Sequence, residues 1–254
     1  MGYVDLAGNC LLSFDRVYIR VEGKENPFPQ NRDLRTLFSP KASRVLRVLL
    51  LNPFKSWKVQ ELREKAEVSL GQAANVKKLL LDREWAEEKN VGFVLAQPEA
   101  VLREWAANYN YRKNRSHDFY SLNEGLGFES ALSDFCSRHG LRFALTLFSG
   151  AARLAPHTRF QRIFAYVESG IEKVRKALEL KAVASGPNVT LMVPYDAGVF
   201  LGAIAYDQIP VVSPIQLYLD LKSYKGRGDE AAEFLFEKVI QPSWSQKQIT
   251  DSGK

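Results

Sequence analysis

The amino-acid sequence predicts a mixed α+β fold: a winged helix-turn-helix domain, then an α/β domain with a mixed sheet, all preceded by a short N-terminal β segment. Three observations carry this. Between residues 39 and 81 apolar residues recur at helical spacing in three short runs, and the next run switches to a strand–turn–strand pattern. From residue 99 onward, strand-like and helix-like segments alternate. Near the start, "RVYIRVEG" alternates with the period of a strand.

Residues 1–30 hold two expected strands, "YVDLA" and "RVYIRVEG", joined through a Gly-Asn turn, and then a Pro-rich linker, "NPFPQN". Two strands alone are marginal, so they are expected to pair with something later in the chain. A chain that opens on its first strand also leaves room for more of this domain upstream.

Residues 31–98 form the expected winged helix-turn-helix. "SPKASRVLRVLLLN" starts with Ser39 at the N-cap and Pro40 at the first helical position, where its missing N–H costs nothing. "NPF" ends that helix, and "WKVQELREKAEV" is a second, shorter one. The third lies in "EVSLGQAANVKKLLLDREW". Ser69 caps it with Gln72 three residues on, a capping-box pattern, and Ala73, Val76, Leu79 and Leu80 share one face. "AEEKNVGFVLAQ" follows as a hairpin with Asn90 and Gly92 as turn residues.

Residues 99–242 form the expected α/β domain. The helix "PEAVLREWAANY" leads to a basic, aromatic-flanked connector, "YRKNRSHDFY", and a helix "FESALSDFCSRHG" closed by Gly140. The strands "RFALTLFSG" and "RIFAYVES", the helix "IEKVRKALEL" and the strands "KAVAS" and "NVTLMVPY" come next. After "IPVVS", Ser213 and Pro214 cap the helix "PIQLYLDLKSY", and "KGRG" separates it from "DEAAEFLFEKVI". Residues 243–254 are polar and expected to be a flexible tail.

Hydrophobic content of 46% with 25% charged residues is that of a globular chain, not a disordered one. No apolar run approaches the roughly 20 residues of a membrane helix, and an acid at position 5 without a basic leader argues against a secretory signal. A cytoplasmic protein without membrane contact is expected. Cys10 and Cys136 form no CxxC, and His117, His139 and His157 are scattered, so neither metal nor cofactor is predicted. The net charge is +6. Residues 31–98 carry 13 Lys/Arg against 8 Asp/Glu, so nearly all the excess lies in about a quarter of the chain. Such a localised excess suits phosphate neutralisation.

These features make double-stranded DNA the expected partner, an operator with inverted repeats. With its apolar face packed inward, the third helix would present Gly71, Ala74, Asn75 and Lys78, with Gln72 in the first turn and Leu70 and Lys77 at the flanks. Small residues admit close approach, Asn75 and Gln72 suit adenine edges, and Lys77 and Lys78 suit phosphate or guanine. The helix start at Ser69 offers free N–H groups. Lys89 and Asn90 in the hairpin turn, and Lys41 and Arg44 on the first helix, are candidate backbone contacts. Tyr109 and Tyr111 interleaved with Arg112, Lys113 and Arg115 give the connector a nucleic-acid flavour, and Arg112 and Lys113 would extend the footprint. Asp82, Glu84, Glu87 and Glu88 count against this reading, because they repel phosphate. The alternatives are a protein-interaction module with incidental DNA binding and a Mg-dependent nuclease. In the latter, Asp5 and the "EGK" residues Glu22 and Lys24 form an Asp…Glu-x-Lys pattern in a truncated core. "TLFSGAARL" lacks the acid pair of a nucleotidyltransferase, so its Ser-Gly is assigned to close packing at a strand–helix junction. No catalytic residue is assigned.

Together, "YVDLAGN", the winged helix running into "LREWAANYNYRKN", "FALTLFSGAARLAP" and above all "VVSPIQLYLDLKSYKGRGDEAAEFL" resemble the AbiEi-type proteins, transcriptional regulators and antitoxins of type IV toxin–antitoxin systems. The resemblance spans nearly the whole chain. It implies a winged helix that represses its own operon, a C-terminal domain linked to antitoxin activity, and a functional toxin encoded nearby that need not form a stable complex. The strand region around Asp5 departs from the shorter antitoxins, which leaves room for a stand-alone regulator.

Overall fold

The computed structural model describes residues 2–4, 8–15, 17–24, 37–155 and 161–251, the last five of these by backbone alone. The chain forms two compact units, Met1–Leu37 and Phe38–Lys254. In the first, β1 (Tyr3–Val4), β2 (Cys10–Phe14) and β3 (Val17–Val21) make an antiparallel sheet in the order β1-β2-β3. The expectation of two strands seeking later partners is corrected here: "CLLSF" is a middle strand, paired along both edges. Its run of apolar residues shows no clean alternation, which hid it.

The second unit begins with α1 (Pro40–Leu51), α2 (Val59–Ala66) and α3 (Leu70–Leu81). An antiparallel hairpin of β4 (Ala86–Lys89) and β5 (Gly92–Leu95) follows. Leu46, Leu49, Leu62, Ala66, Ala73, Val76 and Leu80 are buried between these helices. Unlike an ordinary surface helix, α1 is buried at every residue from Ala42 to Leu50. It is covered by α2 and α3 and, from the sheet-bearing part, by the turn Ala197–Phe200 and the helix Pro214–Ser223.

That part runs through α4 (Pro98–Asn108), a 3-10 turn (Tyr111–Lys113), β6 (Arg115–Tyr120), α5 (Gly125–Arg138) and β7 (Phe143–Leu145). It continues with α6 (Leu147–Leu154), β8 (Ile163–Val167), α7 (Ile171–Ala177), β9 (Lys181–Ala182) and β10 (Val189–Val193). The hairpin β11 (Ile204–Tyr206) and β12 (Ile209–Val211) precedes α8 (Pro214–Ser223) and α9 (Gly228–Leu235), which passes through a π turn (Phe236–Ile240) into α10 (Gln241–Asp251). Strand order is β11-β12-β7-β8-β10-β6-β9. The pairs β8/β10 and β7/β12 are parallel and the others antiparallel, so the sheet is mixed. One side of its core gathers Phe119, Leu132, Leu145, Ala165, Leu191 and Val211 with Cys136, whose thiol burial pushes up to about 12. That cysteine is a core residue and not a nucleophile at neutral pH.

Four local expectations are corrected. The last six residues of the connector "YRKNRSHDFY" are β6, inside the sheet. "TLFSG" is the start of α6 and not the end of a strand. A Cβ at Gly150 would lie 3.0 Å from Leu217, 3.1 Å from Val211 and 3.3 Å from the Leu145 carbonyl, so close packing accounts for the Ser-Gly pair. β11 was not anticipated. From Ser243 to Asp251 the tail is part of α10, and its last three residues lie outside the described ones: Trp244 is buried and its Nε1 donates to the Leu50 carbonyl at 2.9 Å.

Candidate nucleic-acid interface

Ser69 starts α3 as its pattern predicts, with Oγ accepting from the Gln72 amide at 3.1 Å. The apolar stripe turns Ala73, Val76 and Leu80 into the core. Gly71, Ala74, Asn75 and Lys78 therefore face outward and are exposed, while Gln72 is half-buried. Leu70 at the helix start stays 48% exposed and Val91 at the hairpin tip 58%. Two apolar side chains thus project beside the amide-bearing face.

The hairpin is fixed to the segment ahead of α2. Trp57 and Phe93 exchange backbone hydrogen bonds at 2.8 and 3.0 Å, and Ser56 Oγ donates to the Val91 carbonyl. Gly92, at φ +94°, is needed here: a Cβ would fall inside contact distance of the Trp57 carbonyl.

Two of the four acids that counted against DNA binding, Glu88 and Glu87, are paired. Lys77 meets Glu88 at 2.7 Å and Lys89 meets Glu87 at 2.9 Å. Hydrogen bonding from Lys77 holds the Glu88 carboxyl below its ordinary range. Lys77 also lies 5.8 Å over the Phe93 ring, so it joins α3 to the hairpin instead of reaching freely outward. Lys41, Lys78 and Asn90 are exposed. Lys58, Arg63 and Lys65 on and before α2 are exposed too, cations that sequence reasoning passed over because nothing in their spacing marks a face.

Arg44 does not lie at the surface and is corrected as a backbone contact. It is 8% exposed and grips Asp196 with Nε at 2.8 Å and Nη2 at 2.9 Å, with Glu67 at 3.4 Å. Burial raises the Asp196 carboxyl, but the Arg44 hydrogen bonds and the Gly198 amide outweigh it and leave the group below the ordinary range. Arg112 and Lys113 are exposed in the 3-10 turn, the length of α4 away from the hairpin, about 16 Å at the usual rise. Of the nuclease pattern, Asp5 lies outside the described residues. Glu22 pairs with exposed Arg20 at 2.8 Å, and the Lys24 amide donates to Asn9 Oδ1 at 2.9 Å. His157 also lies outside the described residues. Among the described residues no group of three or more His, Cys, Asp and Glu is placed to hold a metal, and no helix is long and apolar enough to cross a membrane.

A second cluster was missed altogether. On α8, Gln216 and Asp220 point inward one turn apart and are fully buried. Asp220 accepts from Thr146 Oγ1 at 2.6 Å, Tyr109 OH at 2.7 Å, and Tyr166 OH and Gln216 Nε2 at 2.9 Å. Burial pushes its carboxyl up against the pull of these donors. Gln216 Oε1 in turn accepts from Arg47 Nε at 2.9 Å, and buried Arg47 lies 4.8 Å over the Trp105 ring. Gln216 therefore relays between a buried cation and a buried anion and ties α1 to the sheet-bearing part. The available signal was a Gln and an Asp at i, i+4 on a helix that is otherwise apolar or aromatic from Ile215 to Leu221.

A helical head is thus joined through buried polar contacts to a mixed sheet. The family model described as transcriptional regulator, AbiEi antitoxin, type IV toxin–antitoxin system matches residues 94–241, more than half of the chain. The chain belongs to this family. The match takes in the end of β5, α4, the whole seven-stranded sheet and α8–α9, including the Gln216–Asp220 cluster. Comparison with curated proteins and with solved structures found no match.

Proposed function

We propose that the module within residues 31–98 is a winged helix-turn-helix that reads double-stranded DNA, and that the protein is an antitoxin-like repressor of its own operon in the cytoplasm. The observation that carries this is the outward face of α3, with exposed Gly71, Asn75 and Lys78 followed at once by a braced hairpin. The three helices precede the residues of the family match, so the reading of this module rests on its own side chains.

In this account α3, about 18 Å long, enters the major groove. Asn75 and Gln72 meet base edges, Leu70 meets a thymine methyl, and Gly71 admits close approach. Lys41, Lys78 and the N–H groups beside Ser69 hold phosphates. Asn90 and Val91 at the hairpin tip reach the neighbouring backbone or minor groove. Lys77 and Lys89 act by neutralising Glu88 and Glu87, which would otherwise face phosphate. The sheet-bearing part, residues 99–242, serves the antitoxin role toward a toxin encoded nearby.

An electrophoretic shift on the gene's own upstream duplex tests this. A shift at micromolar protein in low salt is expected, and its absence under those conditions would end the proposal. Co-expression tests the antitoxin half: the chain is expected to relieve growth arrest caused by the product of the adjacent reading frame.

A further inference from the structure

Three adjoining hollows of about 590, 520 and 650 Å³ run past the end of α8 and share their walls. Arg112 and Lys225 line both of the first two, and Tyr224, Phe164 and Lys225 both of the last two, so they form one continuous groove. Its aromatic side is organised around Tyr224. Tyr111 stacks on it with ring centroids 5.9 Å apart, and Phe148 and Phe164 meet it edge-on at 5.2 and 5.8 Å. Tyr111, Phe148 and Tyr224 remain half-buried, with ring surface toward the groove. The turn that carries Tyr111 is pinned by its amide donating to Ser223 Oγ at 3.1 Å, so the wall is preformed.

The charge of the groove is one-sided. Arg112, Lys225 and Arg227 are exposed and have no ion-pair partner among the described residues. Arg162 lies 5.1 Å over the Phe164 ring and pairs with Asp118, the one carboxylate among the described residues lining the three hollows. Free cations beside half-exposed aromatic rings suit a ligand with phosphates and flat faces together.

We propose that this groove binds single-stranded nucleic acid, with phosphates along Arg112, Lys225 and Arg227 and bases against Tyr111 and Tyr224. A duplex fits less well, because its bases already stack on one another and offer no free face. An acidic peptide would answer the cations but leave the aromatic wall unused. The groove lies beyond the far end of α4 from the hairpin, so the site is separate from the duplex-reading face and does not depend on it.

The test is fluorescence anisotropy with the full chain and labelled oligothymidylate and oligouridylate of about 10 nucleotides at low salt. Both are expected to bind, because phosphates and flat base faces are common to the two. Arg112→Ala with Lys225→Ala, surface changes that leave packing intact, should weaken binding about tenfold or more and flatten its salt dependence. Tyr224→Leu keeps apolar contact with Phe148 and Phe164 but removes a base platform, and should weaken binding about fivefold or more. Should that variant fold poorly, the exposed double variant still decides the matter. Asn75→Ala with Lys78→Ala should leave single-strand binding unchanged. Three results would overturn the proposal: no binding of either oligonucleotide, binding lost in the Asn75/Lys78 variant but kept in the Arg112/Lys225 variant, or equal competition by polyglutamate.

Discussion

At the scale of single residues, buried charge organises the second unit. Asp220 has no solvent to stabilise it and relies on four donors: Gln216 on α8, Tyr166 on β8, and Thr146 and Tyr109, which cap α6 and α4. Asp220→Ala would take away the buried acceptor that these four donors share, while Arg47 would keep Gln216 Oε1. The substitution should destabilise the protein by at least about 3 kcal/mol, read from urea unfolding. Arg44 and Asp196 set a pH dependence. Because the Asp196 carboxyl is depressed in the folded chain, its contribution is present above the ordinary aspartate range and lost as pH falls through the depressed value. Wild-type stability should therefore fall below about pH 4, and Asp196→Asn should show a shallower acid limb in urea midpoints measured against pH. Neither cluster was legible in the sequence. The partners lie 152 and 169 positions apart, and "SRVLRVLLL" gives no sign that its two arginines turn inward.

At the scale of elements, what was legible was local. Ser39-Pro40, Ser69 with Gln72 and Ser213-Pro214 each mark a helix start, because a cap is decided within one turn. Ser69→Ala should cost about 1 kcal/mol of stability. Strands of three to six residues were less visible, since β2, β6 and β11 depend on partners that periodicity cannot show. The start of α6 reads as a strand because Thr146 and Phe148 are good strand residues, and tertiary packing of Gly150 overrides that preference. The hairpin offers the sharpest element-level prediction. Gly92→Ala would force a side chain into a left-handed backbone, about 1–2 kcal/mol, and against the Trp57 carbonyl as well. It should lower the melting temperature and weaken duplex binding together, as the hairpin tip moves away from α3.

At the scale of the whole molecule, a helical module and a mixed sheet form one compact unit through Arg44–Asp196, Arg47–Gln216 and Trp244–Leu50 contacts. The order of elements and the concentration of positive charge were readable from the sequence. How much of that charge is already paired was not, and the pairing separates Lys78 from Lys77 as a candidate contact. The most direct test of the duplex-reading face is an anisotropy titration of wild type, Lys78→Ala and Asn75→Ala on the upstream duplex and a scrambled duplex across a range of salt. Lys78→Ala should weaken binding to both and reduce the salt slope by about 1, while Asn75→Ala should erode the preference for the upstream sequence. Wild-type affinity, slope and preference in both variants would contradict the placement of α3 in the groove.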